Sequence, residues 1–142
     1  MIIPDVNLLV YAHVSGLAEH AKAKLWWEGL MNAPAPVGLA APALYGFIRV
    51  ATHPRILDHP MTVENAVSQV EGWLSRRQVN FLIPGPRHLE IAFRLLRGVG
   101  AAGNLTTDAQ LAALAIEHQA ELHSNDADFA RFPQLRWVNP LR

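Results

Sequence analysis

The sequence contains no cysteine, which excludes a disulfide framework, a thiolate zinc site and a cysteine nucleophile. Charged residues make up only 17% of the chain, below the roughly 25% usual for soluble domains, so we expect some apolar surface covered by another subunit. No uncharged apolar run reaches the ~18–20 residues that span a bilayer. The first residues carry no basic segment followed by a long apolar stretch, so no signal peptide is expected. These absences favour a cytoplasmic protein that stays out of the membrane.

The formal net charge is zero, which does not by itself indicate a nucleic-acid-binding protein. Ten of the basic residues are arginine and only two are lysine. The planar guanidinium group suits bidentate phosphate contacts and stacking on bases. A GC-rich coding sequence would produce the same bias, so the composition leaves both explanations open.

Short apolar segments alternate with longer segments of helical periodicity along the whole chain. The length fits a single domain, residues 1–142. Strands are predicted at 1–5, 37–40, 79–83, 121–124 and 135–138. Helices are predicted at 7–13, 19–31, 42–51, 63–74 (with Thr62 as its N-cap), 89–96 and 107–117 (with Thr107 and Gln110 as a capping box). This order predicts an α/β fold: a three-layer α/β/α sandwich with a short-stranded, mostly parallel central sheet.

Only five aspartates occur in the sequence, and four of them follow a predicted strand or begin a predicted helix. Asp5 ends the first strand, and Asp108 lies in the first turn of a late helix. Asp126 and Asp128 follow the fourth strand. Because parallel strands end at one edge of the sheet, we expect these carboxylates to lie close together.

Clustered carboxylates without a positive partner disfavour one another's ionised form, and a hard divalent cation is their natural counter-ion. Mg²⁺ takes one or two carboxylates plus waters and phosphate oxygens, and it can activate a water for in-line phosphoryl displacement. Each acid also has an ordinary structural explanation. Asp5 could form an Asx turn, Asp108 could complement its helix dipole, and Asp126 or Asp128 could cap a turn.

Five segments of the sequence resemble the successive motifs of PIN-domain toxins, in the family's order, and are most similar to the actinobacterial branch of VapC ribonucleases. The segments are Asp5–Ala12, Phe47–Arg55, Gly103–Ala115, Asn125–Phe132 and Leu135–Leu141.

The resemblance implies a Mg²⁺- or Mn²⁺-dependent endoribonuclease that cleaves RNA with a metal-activated water and is silenced by a cognate antitoxin. Asp5, Asp108 and Asp126 match the catalytic and metal-binding acids, and Asp128 adjoins them as a further metal ligand. Many PIN nucleases carry a glutamate just before the Phe-x-Arg segment, where this chain has Tyr45-Gly46. The site here therefore consists of three or four aspartates, and we expect weaker metal binding.

Other functions are compatible with parts of the pattern. A catalytically inert PIN module that only binds a partner, or a housekeeping RNA-processing nuclease, would share the same motifs. A haloacid-dehalogenase-like phosphatase would need a second acid where this chain has Asn7, and a lysine near the site. A receiver domain would need that lysine and a mid-chain aspartate, so the sequence disfavours both classes.

We also expect a homodimer and an arginine-rich rim around the acidic edge. The helices that carry Trp26, Trp27 and Trp73 hold more large apolar surface than a domain of this size should bury alone. Closed twofold dimers are the commonest assembly and would place two acidic edges beside a shared groove. Arg49 is the best placed candidate for RNA binding, because an acidic pocket alone would repel phosphate.

Overall fold

A single parallel sheet forms the centre of the molecule. The computed structural model describes residues 1–100, 103 and 105–142. The sheet has the order β3-β2-β1-β4-β5, and every pairing among these strands is parallel. The strands are β1 Ile2–Pro4, β2 Val37–Ala40, β3 Val79–Leu82, β4 Glu121–His123 and β5 Arg136–Val138. The predicted parallel sheet is confirmed.

Helices cover both faces of this sheet. The helices are α1 Val6–His13, α2 His20–Met31, α3 Ala41–Ala51, α4 Val63–Leu74, α5 His88–Val99 and α6 Leu105–Glu117, with a 3₁₀ helix at Ala127–Arg131. Helix α1 packs against α2 and α3, α3 packs against α4, and α5 packs against α6. Right-handed crossovers in this strand order place the two groups on opposite faces. The three-layer α/β/α sandwich is therefore confirmed.

Most predicted element boundaries hold, but two helix ends differ. Thr62 caps α4 as expected, because its hydroxyl accepts the backbone N–H of Asn65 at 3.1 Å. The capping box at Thr107 is wrong, because α6 begins two residues earlier at Leu105, whose side chain is buried in the core. Helix α5 runs through Gly98 to Val99 instead of stopping before it. The predicted loop at 100–104 includes Ala101, Ala102 and Asn104, which lie outside the described residues.

An aromatic cluster joins α1, α2, α3 and α4. Trp73 lies 4.8 Å from Phe47, 5.3 Å from Trp27 and 4.6 Å from His13, measured between ring centroids. Trp27 and Trp73 are only 6% and 4% exposed. Trp26 is half-buried and donates from Nε1 to His123. The tryptophan helices were expected to hold surplus apolar surface for a second subunit. For Trp27 and Trp73 this is wrong, because neighbouring helices bury their rings.

Within the described residues, no helix combines the length and the apolar character required to cross a membrane.

Candidate active site

Asp5 stands where β1 passes into α1. Its carboxylate caps the helix by accepting the backbone N–H of Val6 at 2.7 Å. Its own backbone N–H donates to the carbonyl of His123 at 2.9 Å, which ties the end of β1 to the end of β4. The side chain is only 7% exposed. Asp5 is therefore the N-cap of α1, where the sequence had offered an Asx turn as its ordinary structural explanation, and the same carboxylate lies at the edge where the strands end.

Ser124, which immediately follows β4, links the acids of two different strands. Its hydroxyl donates to the second carboxylate oxygen of Asp5 at 2.7 Å. The hydroxyl oxygen of Ser124 in turn accepts the backbone N–H of Asp126 at 3.0 Å and the side-chain amide N–H of Asn7 at 3.2 Å. A serine hydroxyl has one proton and two lone pairs, and all are used here. Ser124 therefore fixes the orientation of the Asp5 carboxylate.

Sequence reasoning missed Ser124 and Asn7. Both follow a strand as closely as the aspartates do, so a search of strand ends for all polar residues would have found them.

The remaining acids stand on the neighbouring loop and helix. Asp126 caps the 3₁₀ helix by accepting the backbone N–H of Asp128 at 2.9 Å, which is one of the ordinary explanations considered for it. Asp128 is exposed, and Asp126 is half-buried. Asp108 lies half-buried in the first turn of α6. The structure thus brings together acids from three separate segments of the chain.

The four carboxylates act on one another electrostatically. Burial is the largest cause of a raised pKa at Asp108, and the charges of Asp5, Asp126 and Asp128 add to the shift in that order. Together they bring the pKa of Asp108 to about 6. Burial also raises the pKa of Asp5, although its hydrogen bonds from Ser124 and Val6 oppose the shift.

The four acids have no direct ion-pair partner in the part of the chain that the structure describes. Among the described residues, no lysine or arginine lies within ion-pair distance of any of them.

An open cavity of about 460 Å³ lies beside two of these acids, Asp5 and Asp108. Asn7, Thr107 and the exposed Arg49 also line it. The carboxylate, amide and hydroxyl oxygens of these side chains suit a hard cation such as Mg²⁺. No three acidic or histidine side chains among the described residues stand at the spacing of a complete metal site. Mg²⁺ is compatible with this, since it commonly keeps several waters and takes only one or two carboxylates.

The Tyr45-Gly46 pair reflects tight packing between α3 and α1. A Cβ atom added at Gly46 would lie 2.6 Å from a methyl carbon of Val6. Tyr45 points outward and is 73% exposed. A glutamate at position 46 would therefore require the Val6 side chain to shift.

Comparison with known proteins agrees with this architecture. The model of the PIN domain family matches residues 2–135. Ribonuclease VapC33 of Mycobacterium tuberculosis strain H37Rv is 51% identical over 142 residues, covering 100% of this chain and 99% of the relative. This chain is a PIN-domain protein of the VapC family. Ribonuclease VapC37 of the same strain is 41% identical over 141 residues, covering 99% of this chain and 97% of the relative.

Solved structures show the same fold at lower identity. The crystal structure of Mycobacterium tuberculosis VapC20, described as a sarcin-ricin loop cleaving toxin, matches with a TM-score of 0.71 at 21% identity. The match covers 96% of this chain and 99% of that chain. VapBC-1 from nontypeable Haemophilus influenzae matches with a TM-score of 0.71 at 19% identity over 100% of both chains. At these identities the likeness establishes the PIN fold.

Proposed function

We propose that this chain is a divalent-cation-dependent endoribonuclease, acting in the cytoplasm as the toxin of a toxin–antitoxin pair. The observation that carries the proposal is the group of four carboxylates at one edge of a VapC-family fold, which have no ion-pair partner among the described residues. Relatives at 51% and 41% identity over nearly the full length bear the name ribonuclease, which supports RNA as the substrate. A cognate antitoxin protein is the proposed partner that silences it.

Asp5, Asp108 and Asp126 are the proposed catalytic and cation-binding residues, with Asp128 as a further ligand. Mg²⁺ is the proposed cation, and Mn²⁺ can substitute for it. When bound, the cation would supply positive charge at the scissile phosphate and lower the pKa of the attacking water. Ser124 holds the Asp5 carboxylate in place through its 2.7 Å hydrogen bond, so the ligand needs little reorganisation.

Cleavage of RNA by the purified chain, freed of antitoxin, tests this proposal. We expect cleavage with Mg²⁺ or Mn²⁺, loss of cleavage with EDTA, and recovery when excess Mg²⁺ is added back. Expression alone should arrest growth, and co-expression of the antitoxin should restore it. Cleavage that persists in EDTA would contradict the mechanism. Absence of cleavage would favour an inert binding module, and cleavage without toxicity would favour a housekeeping nuclease.

We also propose that the chain is a homodimer, through a different surface from the tryptophan helices. Leu89 and Phe93 are four residues apart on one side of α5 and are 62% and 48% exposed. Apolar side chains at this helical spacing form a stripe that a second copy can cover. Light scattering at micromolar concentration should give twice the 15.7 kDa chain mass, and Phe93→Glu should reduce it to one chain. A wild-type mass of one chain would contradict the dimer.

Arg49 is the proposed RNA-binding residue at the rim of the acidic cavity. Its exposed side chain lines that cavity together with Asp5 and Asp108. Each phosphate contact by a cation releases counter-ions, so binding weakens as salt rises. Arg49→Ala should weaken RNA binding. It should also reduce the steepness of log affinity against log salt by about 1, the contribution of one phosphate contact. Arg76→Ala, which removes an exposed arginine at the opposite end of the sheet, serves as the matched control. An unchanged salt slope would remove Arg49 from the RNA path.

A further inference from the structure

A second cavity, of about 560 Å³, lies directly beside the acidic one. The two cavities share Val6, Arg49 and Thr107 in their linings, so they form one continuous depression. The second cavity contains no acid among the residues that line it, and its walls are aromatic and aliphatic. Two of these aromatic side chains are unusually open to solvent: Tyr45 is 73% and Phe81 is 52% exposed. The cavity therefore differs in chemistry from the site beside it.

A buried imidazole also lines this cavity. His88, the first residue of α5, is only 8% exposed. Its Nδ1 atom is buried and has no hydrogen-bond partner among the described residues. A buried nitrogen without a partner costs free energy, and native structures rarely keep one without a reason. Gln110 adds a second polar side chain to the lining.

We infer that this second cavity is a nucleobase subsite, which receives one unstacked base of a single-stranded RNA. The inference rests on the proposed ribonuclease function, because the neighbouring acidic cavity would then hold the phosphate next to that base. Tyr45 and Phe81 offer the aromatic faces on which unstacked bases stack. Gln110 and the imidazole of His88 offer hydrogen-bonding groups for the edge of the base. Arg49 stands between the two cavities, where the connecting phosphate must pass.

An RNA base fits this cavity better than a segment of a protein partner. An apolar peptide side chain would use the walls but would make no use of the exposed Gln110 amide in the lining. A base uses both, because it has a large flat face and a polar edge. Continuity with the acidic cavity also favours a ligand whose chain carries a phosphate at each step.

Equilibrium binding without cleavage tests the subsite. Fluorescein-labelled single-stranded RNA homopolymers of the four bases are titrated with the full chain in EDTA. Tyr45→Ala and Phe81→Ala should each weaken binding about tenfold or more, since a stacked base contributes roughly 1–3 kcal/mol. Phe81→Leu should weaken it as well, because leucine keeps the apolar bulk but has no aromatic face. Leu25→Ala, at a 71% exposed position on α2, should bind like wild type.

His88→Gln adds a test of base recognition. It should change the order of preference among the four homopolymers, with circular dichroism confirming that the variant is folded. The exposed Tyr45 and Phe81 variants decide the inference if His88→Gln does not fold.

The outcomes separate this inference from the proposed function. Unchanged RNA binding by the Tyr45 and Phe81 variants, in a chain that still cleaves RNA, would overturn the subsite and leave the ribonuclease standing. Loss of antitoxin binding with unchanged RNA binding would assign the cavity to the protein partner and would also overturn it. A wild-type chain that neither binds nor cleaves RNA would contradict the proposed function itself.

Discussion

An Asp5→Asn chain is expected to lose RNA cleavage by at least about 100-fold while it stays folded. The buried carboxylate supplies one full negative charge to the proposed cation site, and cation stabilisation of a phosphoryl transition state amounts to several kcal/mol. Each 1.36 kcal/mol corresponds to about tenfold in rate, so loss of one ligand removes at least two powers of ten. Initial rates of RNA cleavage at saturating Mg²⁺ measure the loss.

The same substitution should not weaken the fold. Asparagine has the shape of aspartate, and its amide oxygen can still accept the Val6 N–H that caps α1. It also removes a charge that burial disfavours, as the raised pKa of Asp5 indicates. These gains are offset by the loss of the acceptor for the Ser124 hydroxyl, because the amide NH2 of asparagine cannot accept its proton. Thermal unfolding in EDTA should therefore give a midpoint close to that of wild type.

Asp58→Asn is the matched control, because Asp58 is the aspartate outside the proposed site and is exposed. Cleavage by Asp5→Asn at near the wild-type rate would remove Asp5 from the mechanism.

A Trp73→Ala chain is expected to lose about 3–5 kcal/mol of unfolding free energy, the usual cost of truncating a buried tryptophan. Trp73 contacts rings from three other helices, namely His13, Trp27 and Phe47, and its truncation would leave a cavity among them. Urea denaturation followed by circular dichroism gives the free energy.

Two further variants sharpen this measurement. Trp73→Phe keeps an aromatic ring in the cluster and removes an indole N–H that has no partner among the described residues, so it should cost clearly less than alanine. Leu25→Ala changes an exposed apolar side chain and should stay within about 0.5 kcal/mol of wild type. A Trp73→Ala cost near that of Leu25→Ala would mean that the cluster does not hold the helices together.

Much of the fold follows from local patterns in the sequence. The helical periodicity of α2 and α4 and the short apolar strands are encoded within a few turns, so their positions agree with the structure to within a residue or two. The gathering of the aspartates could also be predicted. For Asp5, Asp126 and Asp128 it requires only the positions of the strands, because a parallel sheet places the carboxyl ends of its strands at one edge. That is why Asp5 and Asp126 could be linked across more than a hundred residues of sequence.

Features that depend on which surfaces meet could not be predicted in the same way. The periodicity that places Trp27 and Trp73 on apolar helix faces does not tell whether those faces meet each other or a second subunit. The sequence predicts that α6 starts at Thr107, but the helix starts at Leu105, because the side chain of Leu105 is buried in the core. Ser124 reaches Asp5 only because β1 and β4 are neighbours in the sheet. A search of the sequence for charged residues does not find such a contact.

The raised pKa of Asp108 means that, at the proposed cation site, protons would compete with Mg²⁺ for this carboxylate. Its ordinary value is 3.8, and its value in the folded chain is about 6. Between these pH values the folded chain holds a proton that the unfolded chain has released, so this group stabilises the fold fully below about pH 4 and loses that contribution as the pH rises through 6. The proposed cation, bound to the ionised group, would take the place of the proton and would restore the lost stability at neutral pH. Acidification and chelation would therefore act on the same group of carboxylates. Acidification protonates Asp108 and removes its charge, whereas chelation would leave the four carboxylates ionised and repelling one another.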